Sequence, residues 1–159
     1  MKDEILREIK ESFNYLFDEH FFSVKSLEMR GGMSGWIITL VSPAFQLSLH
    51  EFKGEIHLYI SPIPNDFVEE CWIGLYTVIS YLREELILGR PRLPKARSVQ
   101  LSNLSRDLRF YYDHIVDLFE AENFARNREQ MLLVNNERTK ASFDALIKVN
   151  NKEQNTSNT

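Results

Sequence analysis

Residues 45–60 read FQLSLHEFKGEIHLYI. Apolar and polar residues alternate on both sides of Lys53-Gly54, a pattern typical of a β-hairpin with one buried face and one solvent-facing side. A two-residue turn at Lys53-Gly54 pairs the strands so that apolar residues share one face and polar residues share the other. A shift of the pairing by one residue would mix apolar and polar residues on each face. The predicted cross-strand pairs are therefore Leu49–Leu58 and Leu47–Ile60 on the apolar face, and His50–His57 and Ser48–Tyr59 on the polar face.

Strand and helix patterns continue on both sides of this hairpin. Further strands are predicted over residues 22–29 and 36–41. Helices are predicted over residues 3–19, 67–84, 101–119 and 123–146, from apolar residues spaced three and four apart. The helix over 67–84 is apolar around most of its circumference and is expected to begin at an Asp66 cap. The sequence thus predicts an α+β fold, with an antiparallel sheet of about four meander strands packed by an N-terminal helix, a buried central helix and C-terminal helices.

Size and composition suit one folded unit. The 159 residues are 43% hydrophobic and 12% aromatic, which favours one packed domain over residues 1–149. Residues 150–159 are polar and predict a disordered tail. The single cysteine, Cys71, excludes an intrachain disulfide. No apolar run approaches the roughly 18 residues of a membrane span, and no secretory signal is visible, so we expect a cytoplasmic protein.

The polar face of the hairpin supplies the first candidate site. Histidines directly opposite one another on paired strands place their Cβ atoms roughly 5 Å apart, close enough to share a metal or relay a proton. No further metal ligand has a diagnostic spacing, so no metal or cofactor is predicted, and a metal- or ligand-dependent enzyme on this face remains an alternative. The same surface can serve in protein binding, with candidate residues His50, His57, Tyr59, Glu51 and Glu55.

A basic loop over residues 90–97 supplies the second candidate site. It carries four positive side chains and no acidic one, a composition that suits phosphate or an acidic partner: Arg90, Arg92, Lys95 and Arg97. The net charge of −4 argues against a general nucleic-acid-binding protein. A nucleic-acid adaptor is kept only as a further alternative. The sequence contains no phosphate-binding glycine motif, nucleophile elbow, His-Glu-x-x-His or Cys-x-x-Cys.

Four short segments of the chain resemble a group of small uncharacterised bacterial α+β proteins. They are FNYLFDEHFF at 13–22, GWII at 35–38, YDHIVDLF at 112–119 and ENF at 122–124. Some members of this group resemble immunity proteins of bacterial toxin systems, and the group provides no catalytic residue to carry over. The resemblance implies a small protein-interaction module that neutralises a toxin by binding. Its partner is expected to be another protein, with a basic toxin domain favoured by the acidic charge of the chain.

Overall fold

The computed structural model describes residues 1–30, 35–66, 68–88 and 96–156. The helices are α1 (Lys2–Ser12), α2 (Asn14–Asp18), α3 (Leu75–Arg83), α4 (Arg97–Phe119) and α5 (Ala121–Thr156). The strands are β1 (Ser23–Met29), β2 (Gly35–Val41), β3 (Phe45–Phe52), β4 (Glu55–Pro62) and β5 (Ile73–Gly74). The predicted α+β class is confirmed.

The strands form one antiparallel sheet in the order β1-β2-β3-β4-β5. The predicted hairpin register is confirmed, with Leu49 opposite Leu58 and His50 opposite His57. Lys53 and Gly54 both have positive φ, at 52° and 82°. Positive φ at both turn positions matches the right-handed twist of the flanking strands, and this is why a two-residue turn fixes the register.

One face of the sheet carries the hydrophobic core. The inward residues of the hairpin, Leu47, Leu49, Leu58 and Ile60, are at most 3% exposed. Each helix of the described part of the chain contributes buried side chains to the same core, among them Ile9, Leu16, Val78, Leu108 and Phe124. The helices therefore share one side of the sheet, and the opposite side is left without a helical cover.

The prediction of a buried central helix over residues 67–84 is wrong at its beginning. Helix α3 spans only Leu75–Arg83, and Phe67 lies outside the described residues. The Asn65 side chain accepts a hydrogen bond from the backbone N–H of Val68, so a turn stands where the Asp66 cap was expected. The backbone then forms β5, in which Ile73 pairs with Ile60 of β4. The apolar residues before Leu75 can be buried either in a helix or in a strand. Here they pair with β4, and this long-range pairing is not visible in the local sequence pattern.

The remaining helix boundaries also differ from the predictions. The predicted helix over 3–19 is divided at Phe13, which leaves helical geometry between α1 and α2. Helix α4 begins four residues earlier than predicted, at Arg97. Helix α5 continues to Thr156 and includes residues 150–156 of the expected disordered tail, while residues 157–159 lie outside the described part of the chain.

Candidate functional site

We call the side of the sheet that the helices leave uncovered the outer face. It contains a shallow, open depression of about 470 Å³. The depression is lined by Lys25, Ser26, Glu28, Ile37, Thr39, Ser48, His50, Tyr59, Glu70 and Trp72. Aromatic and aliphatic side chains thus lie beside charges of both signs, a mixture typical of binding surfaces.

Strand alternation places most of these side chains. Along β2 the inward Trp36, Ile38 and Leu40 are buried, while the outward Ile37 and Thr39 remain half-buried. The outward residues of β3 and β4 form the centre of the outer face by the same period of two. The alternation that buries every second residue of these strands in the core therefore also places the residues between them in the lining of the depression.

A β-bulge in β1 adds a residue that alternation does not predict. The pairing with β2 shifts between Val24 and Ser26, which leaves Lys25 as the extra residue. The Lys25 ammonium reaches across the outer face and donates a 3.1 Å hydrogen bond to the Gln46 side-chain oxygen. The bulge thus brings a cation to the edge of the depression.

The segment between Val68 and Trp72 crosses one end of the outer face. The Gln46 amide nitrogen donates to the Glu70 carboxylate at 3.2 Å, and the Cys71 backbone N–H donates to the Ser61 hydroxyl at 3.0 Å. Gln46, Ser48 and Ser61 are buried, so the expectation that the whole polar face of the hairpin meets solvent is wrong at this end. The crossing segment also places Trp72 in the wall of the depression.

His50 lies half-buried at the centre of the outer face. Its Nε2 atom is 2.8 Å from the Ser48 hydroxyl, and its ring contacts the Tyr59 ring with centroids 4.8 Å apart. Burial lowers the His50 pKa below its usual 6.5, with smaller contributions from the positive charge of Arg30 and from His57. His50 is therefore neutral near pH 7.

The other candidates on the hairpin have separate environments. His57 is exposed, and its Nε2 atom lies 3.6 Å from the Glu55 carboxylate. Glu51 accepts a 2.7 Å hydrogen bond from the Gly54 backbone N–H, so it stabilises the turn and does not line the depression. Among the predicted residues of the hairpin, His50 and Tyr59 line the depression, while Glu51, Glu55 and His57 do not.

His50 and His57 belong to no metal-holding cluster in the part of the chain that the structure describes. Among the described residues no group of three or more His, Cys, Asp or Glu side chains is placed to hold a metal ion. Ser48 and His50 share a hydrogen bond, but no carboxylate in the described ranges hydrogen-bonds His50 as the third member of a triad. These contacts orient the His50 imidazole on the outer face.

The basic loop is described only at its end. Arg90, Arg92 and Lys95 lie outside the described residues. Arg97 forms a two-pronged ion pair with Glu8 of α1, at 2.5 and 2.7 Å. This hydrogen-bonded pairing lowers the Glu8 pKa and raises the Arg97 pKa. Arg97 therefore joins α4 to α1 and is not displayed as a free cation.

Trp72, Lys25 and Glu70 are among the residues of the depression that the sequence did not single out. Trp72 falls within the helix predicted over residues 67–84. The β-bulge at Lys25 has no signature in the sequence. Strand β5 pairs Gly74 with Tyr59, and Trp72 lies two residues before Gly74, so a strand prediction for residues 73–74 would have indicated that Trp72 is near Tyr59.

No protein-family model, curated protein or solved structure matches this chain. The resemblance to immunity-like bacterial proteins therefore stays a prediction. Within the described ranges, no helix has both the length and the apolar character needed to cross a membrane.

Proposed function

We propose that this chain is a small cytoplasmic protein-interaction module that binds another protein through the outer face of its sheet. The observation that carries the proposal is the depression in this face, in which Tyr59 and Trp72 stand partly exposed. Large aromatic side chains at the centre of a surface, surrounded by polar groups, are the usual anchors of protein interfaces.

The outer face also offers apolar side chains that a partner protein can cover. The side chains of Ile37, Thr39 and Val41 project from β2 and are only half-buried. A partner that covers them removes apolar surface from water without any rearrangement of the sheet, at about 25 cal/mol per Å² of apolar area. All three side chains are β-branched and restricted at χ1, so little conformational entropy is lost on binding.

The net charge and the resemblance together suggest the kind of partner. We propose an immunity-type role, in which the chain blocks a basic toxin domain by covering it. The net charge of −4 favours fast association with a basic protein. Salt at 0.5 M is expected to slow that association by about tenfold or more if long-range attraction guides the encounter.

The proposal is tested by capture followed by reconstitution. Proteins retained from the native cell by the immobilised wild-type chain are compared with those retained by Trp72→Ala. A partner lost only with the variant is purified, and its dissociation constant is measured. We expect Trp72→Ala to weaken binding by about 30-fold, as a central aromatic anchor does.

A matched control tests whether the effect belongs to the outer face. Leu133 on α5 is an exposed apolar residue outside the depression, at 55% exposed. Leu133→Ala is expected to retain wild-type affinity. Equal weakening by both variants, or unchanged binding by Trp72→Ala, contradicts the proposed surface.

A further inference from the structure

We propose that the depression on the outer face accepts the guanidinium group of an arginine presented by the partner protein. This inference rests on the protein-binding function proposed above and adds to it the chemistry that the depression recognises. The aromatic side chains, the charges and the hydrogen bonds of the depression support it.

Two aromatic side chains give the depression a surface for a planar cation. Tyr59 and Trp72 both line it, and Tyr59 lies opposite Gly74, which has no side chain to cover it. Arginine stacks on tryptophan and tyrosine rings more often than lysine does, because its guanidinium is flat and weakly hydrated. An apolar ligand could also contact these rings, so the charges of the lining decide between the two.

The charged lining favours a cation. Glu28 and Glu70 contribute two carboxylates, and neither forms an ion pair with a residue in the described part of the chain. Lys25 contributes one ammonium, which donates to Gln46. The charged side chains that line the depression therefore sum to a negative value before a partner binds.

Two other basic groups near the depression are His50 and Arg30. His50 is neutral near pH 7, because burial lowers its pKa. Arg30 acts on His50 electrostatically but does not line the depression. Glu70 uses one oxygen to accept from Gln46, which holds the carboxylate in place and leaves its other oxygen for the N–H groups of a guanidinium.

The two tryptophans of the chain make a direct test possible. Trp72 is partly exposed in the depression, whereas Trp36 is 2% exposed in the core. The full chain, labelled with ¹⁵N, is titrated with the peptide acetyl-Gly-Arg-Gly-amide, and both indole N–H signals are followed by NMR. We expect the Trp72 signal to shift in a saturable manner and the Trp36 signal to stay in place.

A neutral peptide and two variants separate guanidinium recognition from general peptide binding. The same peptide with citrulline, an uncharged analogue of arginine, is expected to bind at least threefold more weakly. Glu70→Gln is expected to weaken arginine-peptide binding by about twofold to fivefold. The neighbouring exposed carboxylate Glu69 does not line the depression, so Glu69→Gln is expected to bind like the wild type.

Removal of the Tyr59 ring is a second test of how the depression binds the arginine peptide. Tyr59→Leu keeps an apolar side chain but removes the ring, and is expected to weaken binding by about threefold to tenfold. Equal affinity for the arginine and citrulline peptides overturns the inference, as does a Trp72 signal that does not move at the highest soluble peptide concentration. Either result leaves the protein-binding proposal standing, because that proposal is tested separately with Trp72→Ala and the purified partner.

Discussion

Gln100 of helix α4 joins that helix to the turn of the hairpin, and its replacement is expected to destabilise the protein. Its side-chain oxygen accepts a 2.9 Å hydrogen bond from the Ile56 backbone N–H. Its amide nitrogen donates a 2.7 Å hydrogen bond to the Gly54 carbonyl. Gln100 is 3% exposed, so one buried side chain satisfies two backbone groups of the strand pair that carries His50 and Tyr59.

The expected cost of removing it follows from these two bonds. Gln100→Leu keeps the size of the side chain and removes both bonds. Ile56 is 4% exposed and its N–H is left without a partner, which costs about 1–3 kcal/mol, while the Gly54 carbonyl is near solvent and adds less than about 1 kcal/mol. We therefore expect a loss of about 1–4 kcal/mol in the free energy of unfolding.

The assay is urea unfolding followed by circular dichroism, with Gln130→Leu as the control. Gln130 lies on the exposed side of α5, so its replacement is expected to change stability by less than about 0.5 kcal/mol. Hydrogen exchange at the Ile56 amide should accelerate in Gln100→Leu more than exchange at the Leu58 amide. Equal unfolding free energies for the two variants would refute the reasoning.

Three further predictions concern the core, the protonation of His50 and the backbone at Phe21. Leu49→Ala should lower the free energy of unfolding by about 2–5 kcal/mol in urea melts, because Leu49 is fully buried; a loss under 1 kcal/mol would contradict the assigned inward face. Because the pKa of folded His50 is below 6.5, the unfolded chain binds its proton first as the pH falls. The stability that neutral His50 contributes should therefore be complete well above pH 6.5 and decrease as the pH drops below 6.5. His50→Gln should flatten that slope in melts across the range, whereas His57→Gln should keep most of it, since burial is the larger cause; a slope unaffected by His50→Gln contradicts the assignment. Phe21 has φ 57° and is 78% exposed, so Phe21→Gly should stabilise the protein by up to about 1 kcal/mol, while Phe110→Gly in the middle of α4 should destabilise it by about 1 kcal/mol; destabilisation by both would show that Phe21 is not strained.

The hairpin was predictable because its determinants are local. Alternating residues and a turn that tolerates positive φ at Lys53 and Gly54 allow only one register that buries Leu47, Leu49, Leu58 and Ile60 together. The same alternation placed His50 and Tyr59 on one face. These residues are the part of the depression that the sequence alone identified.

The rest of the depression depends on long-range contacts. The apolar run from Val68 to Leu82 fits a buried helix by composition, and its first half becomes an irregular segment and β5 because β4 offers a free edge there. That segment carries Glu70 and Trp72 over the outer face. Lys25 arrives through a bulge in β1, whose position depends on the pairing with β2.

Site-specific cross-linking in the native cell tests the central claim most directly. A photo-reactive phenylalanine analogue is placed at Thr39 on the outer face or, in a second variant, at Gln130 on α5. We predict that Thr39 yields one covalent adduct with a single protein, that Trp72→Ala abolishes it, and that Gln130 yields none. An adduct formed from Gln130 and absent from Thr39 would contradict the account, because it would place the partner on the helical side of the molecule.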